Sequence, residues 1–395
     1  MMEMKELKTM KMLLSGNQAA ARAVKLARVQ VVSAYPITPQ TSLIENLAQM
    51  WAEGDFDGDF VGVESEYSAL SYLIGAASAG ARSFTASSSH GLAYMHEVLH
   101  WVSGARLPLV LVNVNRTIGA PWCLEPDQGD SLSQRDTGWI QLYCASVQEI
   151  LDTVLVAFYL AEQTRVPCMV SYDGFSLSHT HEPVDVPDQE TVDGFLPPRP
   201  EVPVLPASNG ANLHNVVTSQ VMNAVGKSLH RAMKTVPRLI KVLEKDFLSR
   251  FGRPFTVLES DALDHANTVI ITSGSVAQTV KSALPDLSSK HGRIGLVRLK
   301  LFRPFPGAEL VQLLERTTAQ QIIVLDRNLS PGAGGIFAQE IRSALQQYGF
   351  QGAVREFNLV GGIDLTPEML HKGLVHMAET STQSQEEPLW GGDLI

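Results

Sequence analysis

With 395 residues, 45% of them hydrophobic, the chain is long enough for two or three domains that each bury a core. A net charge of −10 argues against a dedicated nucleic-acid binder, which needs a basic face to release counterions. No apolar run reaches the ~20 residues of a membrane span and the opening segment lacks the apolar core of a leader, so the expectation is a cytoplasmic protein with no membrane partner.

Residues 1–190 alternate helical and strand patterns in the βαβ manner, predicting a parallel sheet covered on both faces. Gly16–Val24 reads as a helix with Asn17 as its cap, and Val29–Ala34 as a short buried strand that runs into Tyr35-Pro36-Ile37-Thr38-Pro39. Ser42–Trp51 follows as a helix, Phe60–Glu64 as a strand, and Glu66–Gly80 as a helix rich in small residues. Ser83–Ala86 suggests a strand, His90–Gly104 one helix, and the apolar run Pro108–Asn115 a buried parallel strand. Thr117–Ser133 has no period, and loops of that length are usually functional or mobile. Val147–Ala161 returns to helix and Pro167–Tyr172 to strand.

From His179 to Asn209 the proline density marks an extended connector rather than a packed element, and Val216–Phe251 is helical. A second α/β unit is built on strands Asn267–Thr272, Ile294–Leu299 and Gln321–Asp326. The polar tail Glu379–Ile395, with Trp390, either reaches a partner or is disordered. The resulting division is 1–190, a connector and helix over 191–255, a second unit over 256–378, and a tail over 379–395. Cys123, Cys144 and Cys168 are too few and too dispersed for a disulfide framework, a zinc site or an iron–sulfur cluster; Cys144 and Cys168 read as buried small hydrophobes.

Two segments carry the chemistry. Pro36 and Pro39 fix the backbone around Thr38 and present its hydroxyl and nearby amides, a turn suited to an anion; equally, Thr38 is placed to cap the next helix. Glu64 and Glu66 open a tightly packed helix, where they either favour the helix dipole or supply one buried carboxylate to a cleft. A carboxylate bonded to the pyrimidine nitrogen of thiamine diphosphate favours the tautomer that activates that cofactor, and Glu66 is the choice over Glu64. Arg116 ends the apolar strand where open α/β sheets carry ligands; its guanidinium either forks onto a substrate carboxylate or pairs with an acid of the following loop. His90, after Ser88 and Ser89, stands at another strand-to-helix junction, as cleft residue or simple cap neighbour. Arg135-Asp136 is either a structural pair, the favoured reading, or a second clamp. Trp122 is either a packing anchor or part of the substrate wall.

The runs Tyr35–Pro39, Glu64–Ala69, Phe84–Ser88, His96–Val98 and Gln134–Trp139, with Leu301–Pro306 and Leu325–Gly332 further on, together resemble the alpha subunit of 2-oxoacid:ferredoxin oxidoreductases, the pyruvate synthase family. The resemblance implies an α/β fold in which a pyrimidine-type thiamine diphosphate-binding domain with a parallel sheet precedes a transketolase C-terminal-like domain. It implies coenzyme A-dependent oxidative decarboxylation of a pyruvate-type 2-oxoacid, with electrons passed to 4Fe-4S clusters on partners. It gives Glu66 the cofactor-activating role, Thr38 and Arg116 the substrate, and Tyr35, Pro36 and Ile37 the shaping of the cofactor turn. A beta-type subunit would hold diphosphate, Mg2+ and a cluster, beside gamma- and delta-type ferredoxin-like subunits, in a dimer of heteromers. Asp57-Gly58-Asp59 and Tyr172-Asp173-Gly174 lack the Asn-Asn sequel of a diphosphate site, so the chain should be inert alone and a transketolase-like or decarboxylase enzyme is disfavoured. The sequence Trp122-Cys123-Leu124-Glu125-Pro126 departs from pyruvate enzymes, leaving a branched or aromatic 2-oxoacid such as 2-oxoisovalerate or phenylglyoxylate as an alternative. A non-catalytic scaffold is the reading of another class.

Overall fold

The computed structural model describes residues 9–198, 213–350, 352–380 and 387–395. The first half runs β1 (Thr9–Ser15), α1 (Gly16–Leu26), β2 (Val31–Ala34), α2 (Thr41–Ala52), β3 (Asp59–Gly62), α3 (Glu66–Ser78), β4 (Ser83–Ser87), α4 (Ser89–Tyr94), α5 (His96–Gly104), β5 (Val110–Asn115), α6 (Gly129–Leu132), β6 (Ile140–Tyr143), α7 (Val147–Thr164), β7 (Cys168–Asp173), β8 (His181–Pro187), α8 (Gln189–Phe195) and α9 (Ser219–Phe251). Six strands lie parallel in the order β6-β7-β5-β4-β2-β3. Strands β4, β5 and β7 are buried along their whole length because helices cover both faces. One face packs on α1, α2, α7 and α9, the other on α3, α4 and α5.

Four details depart from the sequence reading. Ser15, not Asn17, caps α1, through a capping box with Gln18. The helix expected over His90–Gly104 is two, α4 and α5, meeting at Met95. The expected loop 117–133 contains the short α6, and Cys144 and Cys168 are buried as expected. The connector expected from His179 begins instead with packed structure. Strand β8 pairs antiparallel with β1, and Phe195 of α8 stacks on Tyr159 at 5.2 Å. Pro183 and Pro187 are tolerated because β8 belongs to a two-stranded ribbon, where one edge has no ladder to complete. Of that connector, residues 199–209 lie outside the described part.

The second half runs β9 (Leu258–Asp261), β10 (Thr268–Thr272), α10 (Val276–His291), β11 (Ile294–Leu299), β12 (Leu301–Arg303), α11 (Gly307–Leu314), β13 (Gln321–Asp326), α12 (Ile336–Gln347), β14 (Ala353–Asn358), α13 (Pro367–Glu379) and β15 (Leu389–Trp390). Its sheet has the order β15-β14-β13-β10-β11-β9, parallel except for β9. Separate apolar layers fill its two faces, one under α11 and α12, the other under α10 and α13. The tail is therefore not a free end: β15 adds to β14, and only residues 381–386 of it fall outside the description.

The halves are sewn together. Strand β12 leaves the second sheet and pairs antiparallel with β6 of the first. Arg253 Nη2 meets Asp152 Oδ1 at 2.5 Å, and Lys300 Nζ lies 3.1 Å from Glu149 Oε1, both acids belonging to α7. Among the described residues no helix is long and apolar enough to cross a membrane.

Candidate active site

The strand order β5-β4-β2-β3 sets four carboxyl ends side by side. From them emerge, in spatial sequence, Arg116, the Ser88-Ser89-His90 junction, the proline turn and the Glu64–Glu66 segment. In an open α/β sheet this is the edge where ligands sit.

Ser65 caps α3 by accepting from Ser68 N, which places Glu66 in the first helical turn. Glu66 is 8% exposed, whereas Glu64 is exposed and accepts from the Ser68 hydroxyl, which holds its carboxyl below the usual range. α4 crosses so close to Glu66 that a Cβ added at Gly91 would lie 2.4 Å from Glu66 Oε1 and 2.7 Å from Ser87 Oγ. Neither described backbone nor side chain donates to the Glu66 carboxylate, and the buried hydroxyls of Ser87 and Ser88 have no partner either. A carboxylate on a largely buried side chain, with open lone pairs, is what a protonated ring nitrogen of thiamine diphosphate requires, so the residues fit that group.

The proline turn is fixed from beneath. Asn17 Nδ2 donates to Pro39 O at 2.8 Å and to Ser42 Oγ at 2.7 Å, while accepting from Tyr172. Gln40 Nε2 donates to Ala86 O at 2.9 Å, tying the turn to β4. The Thr38–Pro39 peptide is cis. Thr38 is exposed and does not cap α2, whose cap position is Gln40 without a side-chain bond. Tyr35 and Pro36 are exposed and Ile37 is half-buried, so the turn offers an open rim.

Arg116 closes the fourth side. Its Nη1 donates to Thr38 O at 2.5 Å, and Nη2 lies 3.3 Å from His90 Nδ1. The Trp122 ring lies over the guanidinium, 4.8 Å from carbon to centroid, and meets His90 edge-on at 6.1 Å. Arg116 is 5% exposed, burial lowers its pKa, and its Nε has no partner. It forms no side-chain ion pair with the acids of the following loop; that reading is replaced by contacts to Thr38, His90 and Trp122. His90 points into this group, with Gly119 N donating to its Nε2 at 3.1 Å. Trp122 is 54% exposed and anchors no core. Arg135 and Asp136 form a loose pair at 3.8 Å away from this group.

Sequence reasoning passed over Asp130. It is fully buried and accepts from Ser89 N (2.9 Å), Asn113 Nδ2 (3.0 Å), Asn115 Nδ2 (2.7 Å), Arg116 N (3.2 Å) and Ser131 N (2.7 Å). Burial outweighs these bonds and pushes its carboxyl up to about 6. A signal for it existed: two asparagines at alternate positions of an otherwise apolar strand share one face and need a buried partner. The same loop is clasped by the second half. Asp127 Oδ2 accepts from Gly361 N at 2.8 Å, and Gln128 N donates to Arg327 O at 2.8 Å. Asp173 is taken up by Ser275 N at 2.8 Å and Arg327, and no metal-binding cluster occurs among the described residues.

Family models now define the class. The one described as "Pyruvate flavodoxin/ferredoxin oxidoreductase, thiamine diP-bdg" matches residues 22–245, and "Pyruvate:ferredoxin oxidoreductase core domain II" matches residues 266–370. The chain belongs to the 2-oxoacid:ferredoxin oxidoreductase family and is a subunit of an oxidoreductase of 2-oxoacids. It is 45% identical to the ketoisovalerate oxidoreductase subunit VorA of Pyrococcus abyssi, over 92% of each chain. It is 38% identical to the pyruvate synthase subunit PorA of Methanothermobacter thermautotrophicus, over 94% of this chain and 96% of that one. The 2-oxoglutarate:ferredoxin oxidoreductase of Magnetococcus marinus shares the fold with a TM-score of 0.72 at 21% identity, covering 94% of this chain and 65% of that one.

Proposed function

We propose that this chain supplies the cofactor-activating and substrate-binding half of a thiamine diphosphate- and coenzyme A-dependent 2-oxoacid oxidoreductase, with a short branched 2-oxoacid of the 2-oxoisovalerate type as substrate and pyruvate as the competing one. The observation that carries it is the nearly buried, unpartnered Glu66 carboxylate, two strand ends away from β4 and three from the Arg116 guanidinium. Thiamine diphosphate, when bound, supplies a nucleophilic carbon and an electron sink. Glu66 holds the proton shared with the pyrimidine nitrogen, and its burial keeps that proton from water. Arg116 meets the substrate carboxylate, the Thr38 hydroxyl meets its oxo or carboxylate oxygen, and Tyr35, Pro36 and Ile37 shape the wall of the cofactor cleft. Trp122, with Ile118 and Leu124 exposed in the same loop, offers an apolar face to the substrate side chain. The higher identity to the VorA chain than to the PorA chain supports the branched substrate.

The remaining parts fall to partners: a beta-type subunit with the diphosphate, Mg2+ and a 4Fe-4S cluster, and gamma- and delta-type ferredoxin-like subunits, assembled in the cytoplasm as a dimer of heteromers. Residues 1–190 are the pyrimidine-type unit and 256–378 the transketolase C-terminal-like unit, joined by 191–255 and followed by the tail 379–395. The test is Glu66→Gln in the assembled complex. It should bind cofactor yet lose most 2-oxoacid-dependent viologen reduction; wild-type turnover would remove Glu66 from the mechanism. A panel of pyruvate, 2-oxoisovalerate, 2-oxoglutarate and phenylglyoxylate on the native complex decides the substrate, and no dye reduction with any of them would favour a scaffold.

A further inference from the structure

We propose that Asp130 is a positioning residue for the 2-oxoacid: its carboxylate fixes the backbone from which Arg116 and the Ser89-His90 junction project, and so sets how tightly the substrate carboxylate is held. The inference rests on the reading that Arg116 receives that carboxylate. Oδ2 gathers Ser89 N, Asn113 Nδ2 and Arg116 N, while Oδ1 takes Asn115 Nδ2 and Ser131 N. Three chain segments, the end of β5, the start of α4 and the loop at α6, thus share one buried anchor, beside the pairwise bonds of the Ser89 hydroxyl to Thr117 O and of Asn115 Nδ2 to Ser131 Oγ at 2.8 Å.

All five donors are neutral, and no ion pair reaches Asp130 among the described residues. A buried carboxylate with no cation in direct contact is an expensive way to tie a loop, and such groups gather at functional sites. Its effects lie on the substrate side. Ser89 has φ 48°, a left-handed conformation that costs a non-glycine residue about 1 kcal/mol or more. The bond from Ser89 N to Asp130 holds it there, which turns His90 toward Arg116 and Gly119. The Arg116 backbone N–H ends on the same anchor, which fixes the root of a side chain whose guanidinium then reaches Thr38 O and His90.

The sign of the effect separates positioning from simple charge. Through space, Asp130 repels an anionic substrate, so neutralising it would tighten binding and lower KM. As an anchor, an amide in its place turns one of the two acceptors into a donor, facing either Ser89, Asn113 and Arg116 or Asn115 and Ser131, which loosens the backbone under Arg116 and raises KM. Asp130→Asn in the cofactor-loaded complex should raise KM for the 2-oxoacid about 10- to 100-fold, with kcat within about 3-fold and KM for coenzyme A unchanged. Asn113→Leu keeps the charge and removes one of the five bonds; it should raise the same KM about 3- to 10-fold, and decides the matter if Asp130→Asn does not assemble. An unchanged or lowered KM in the variant that assembles overturns the proposal. Arg116→Lys, measured alongside, separates the two levels: if it leaves KM untouched, the reading of Arg116 has failed, whereas a raised KM there with none in the Asp130 and Asn113 variants condemns the anchor alone.

Discussion

Replacing Gly91 by alanine tests the Glu66 assignment without touching Glu66. The added methyl would stand 2.4 Å from Glu66 Oε1 and 2.8 Å from its Cδ, against the 3.4 Å of ordinary contact, so the oxygen must retreat by about 1 Å. The atom in the way is the tip of a flexible side chain, and the Gly91 backbone is helical, where alanine is favoured over glycine by about 1 kcal/mol. The fold therefore has an inexpensive escape, in which the carboxylate retreats and the Ser87 hydroxyl, 2.7 Å from the added methyl, turns aside. A 1 Å misplacement of a catalytic group costs on the order of 100-fold in rate, about 2.7 kcal/mol of barrier. The variant complex should assemble, melt within a few degrees of wild type, and reduce viologen dye at about one hundredth of the wild-type kcat. Turnover within about 2-fold of wild type, with cofactor bound at full occupancy, would refute the claim that the Glu66 carboxylate must stay where Gly91 lets it lie.

Trp122→Ala removes the apolar face over Arg116, so kcat/KM for 2-oxoisovalerate should fall about 10-fold relative to that for pyruvate; equal losses on both acids would reduce Trp122 to a lid on the guanidinium. Burial pushes Asp326 up to about 7, although Asn328 Nδ2 and the amides of Phe337 and Ala338 donate to it. Its folded-state value lies above the unfolded one near 3.9, so its contribution to stability is full below that value and is lost as pH rises through about 7. Asp326→Asn should flatten the fall of the denaturation midpoint between about pH 4 and pH 7, whatever its effect on absolute stability. An unchanged pH slope would mean that Asp326 titrates as an ordinary carboxyl.

What could be read beforehand is what short-range pattern encodes. Strands β11 and β13 have the bounds their apolar runs announce, Ile294–Leu299 and Gln321–Asp326, because a strand buried on both faces is written as one contiguous stretch. The proline turn and the helix opening at Glu66 were legible for the same reason, and the topology then set Thr38 and Glu66 on neighbouring strand ends and Arg116 on the same carboxyl edge, one strand beyond β4. Partners distant in sequence were not legible. Asn17 looks like a cap by position, yet its amide holds Pro39 and its carbonyl takes the Tyr172 hydroxyl, 155 residues away. Asp130 sits in a stretch without period, and its five donors come mostly from other elements. Strands β1 and β8 are amphipathic at best and exist only through each other, across the whole first sheet. The tail reads as polar, a partner-seeking or disordered end, because few residues dock it: Leu389 and Trp390 on β14, and Leu394 against the same apolar layer.

Strand β12 decides where this chain can be cut. Residues Leu301–Arg303 belong by sequence to the second half but finish the first sheet, lying on β6 and placing Phe302 against Tyr143 at 6.2 Å. A fragment ending at residue 255 would keep every residue proposed to touch cofactor or substrate, yet it would leave β6 with a bare row of amides and carbonyls and Tyr143 without its aromatic cover. Such an edge recruits further strands from neighbouring molecules. Expression of the amino-terminal half by itself should therefore yield aggregates, whereas the full chain, in which β12 closes the ladder and β13 covers β10, should not.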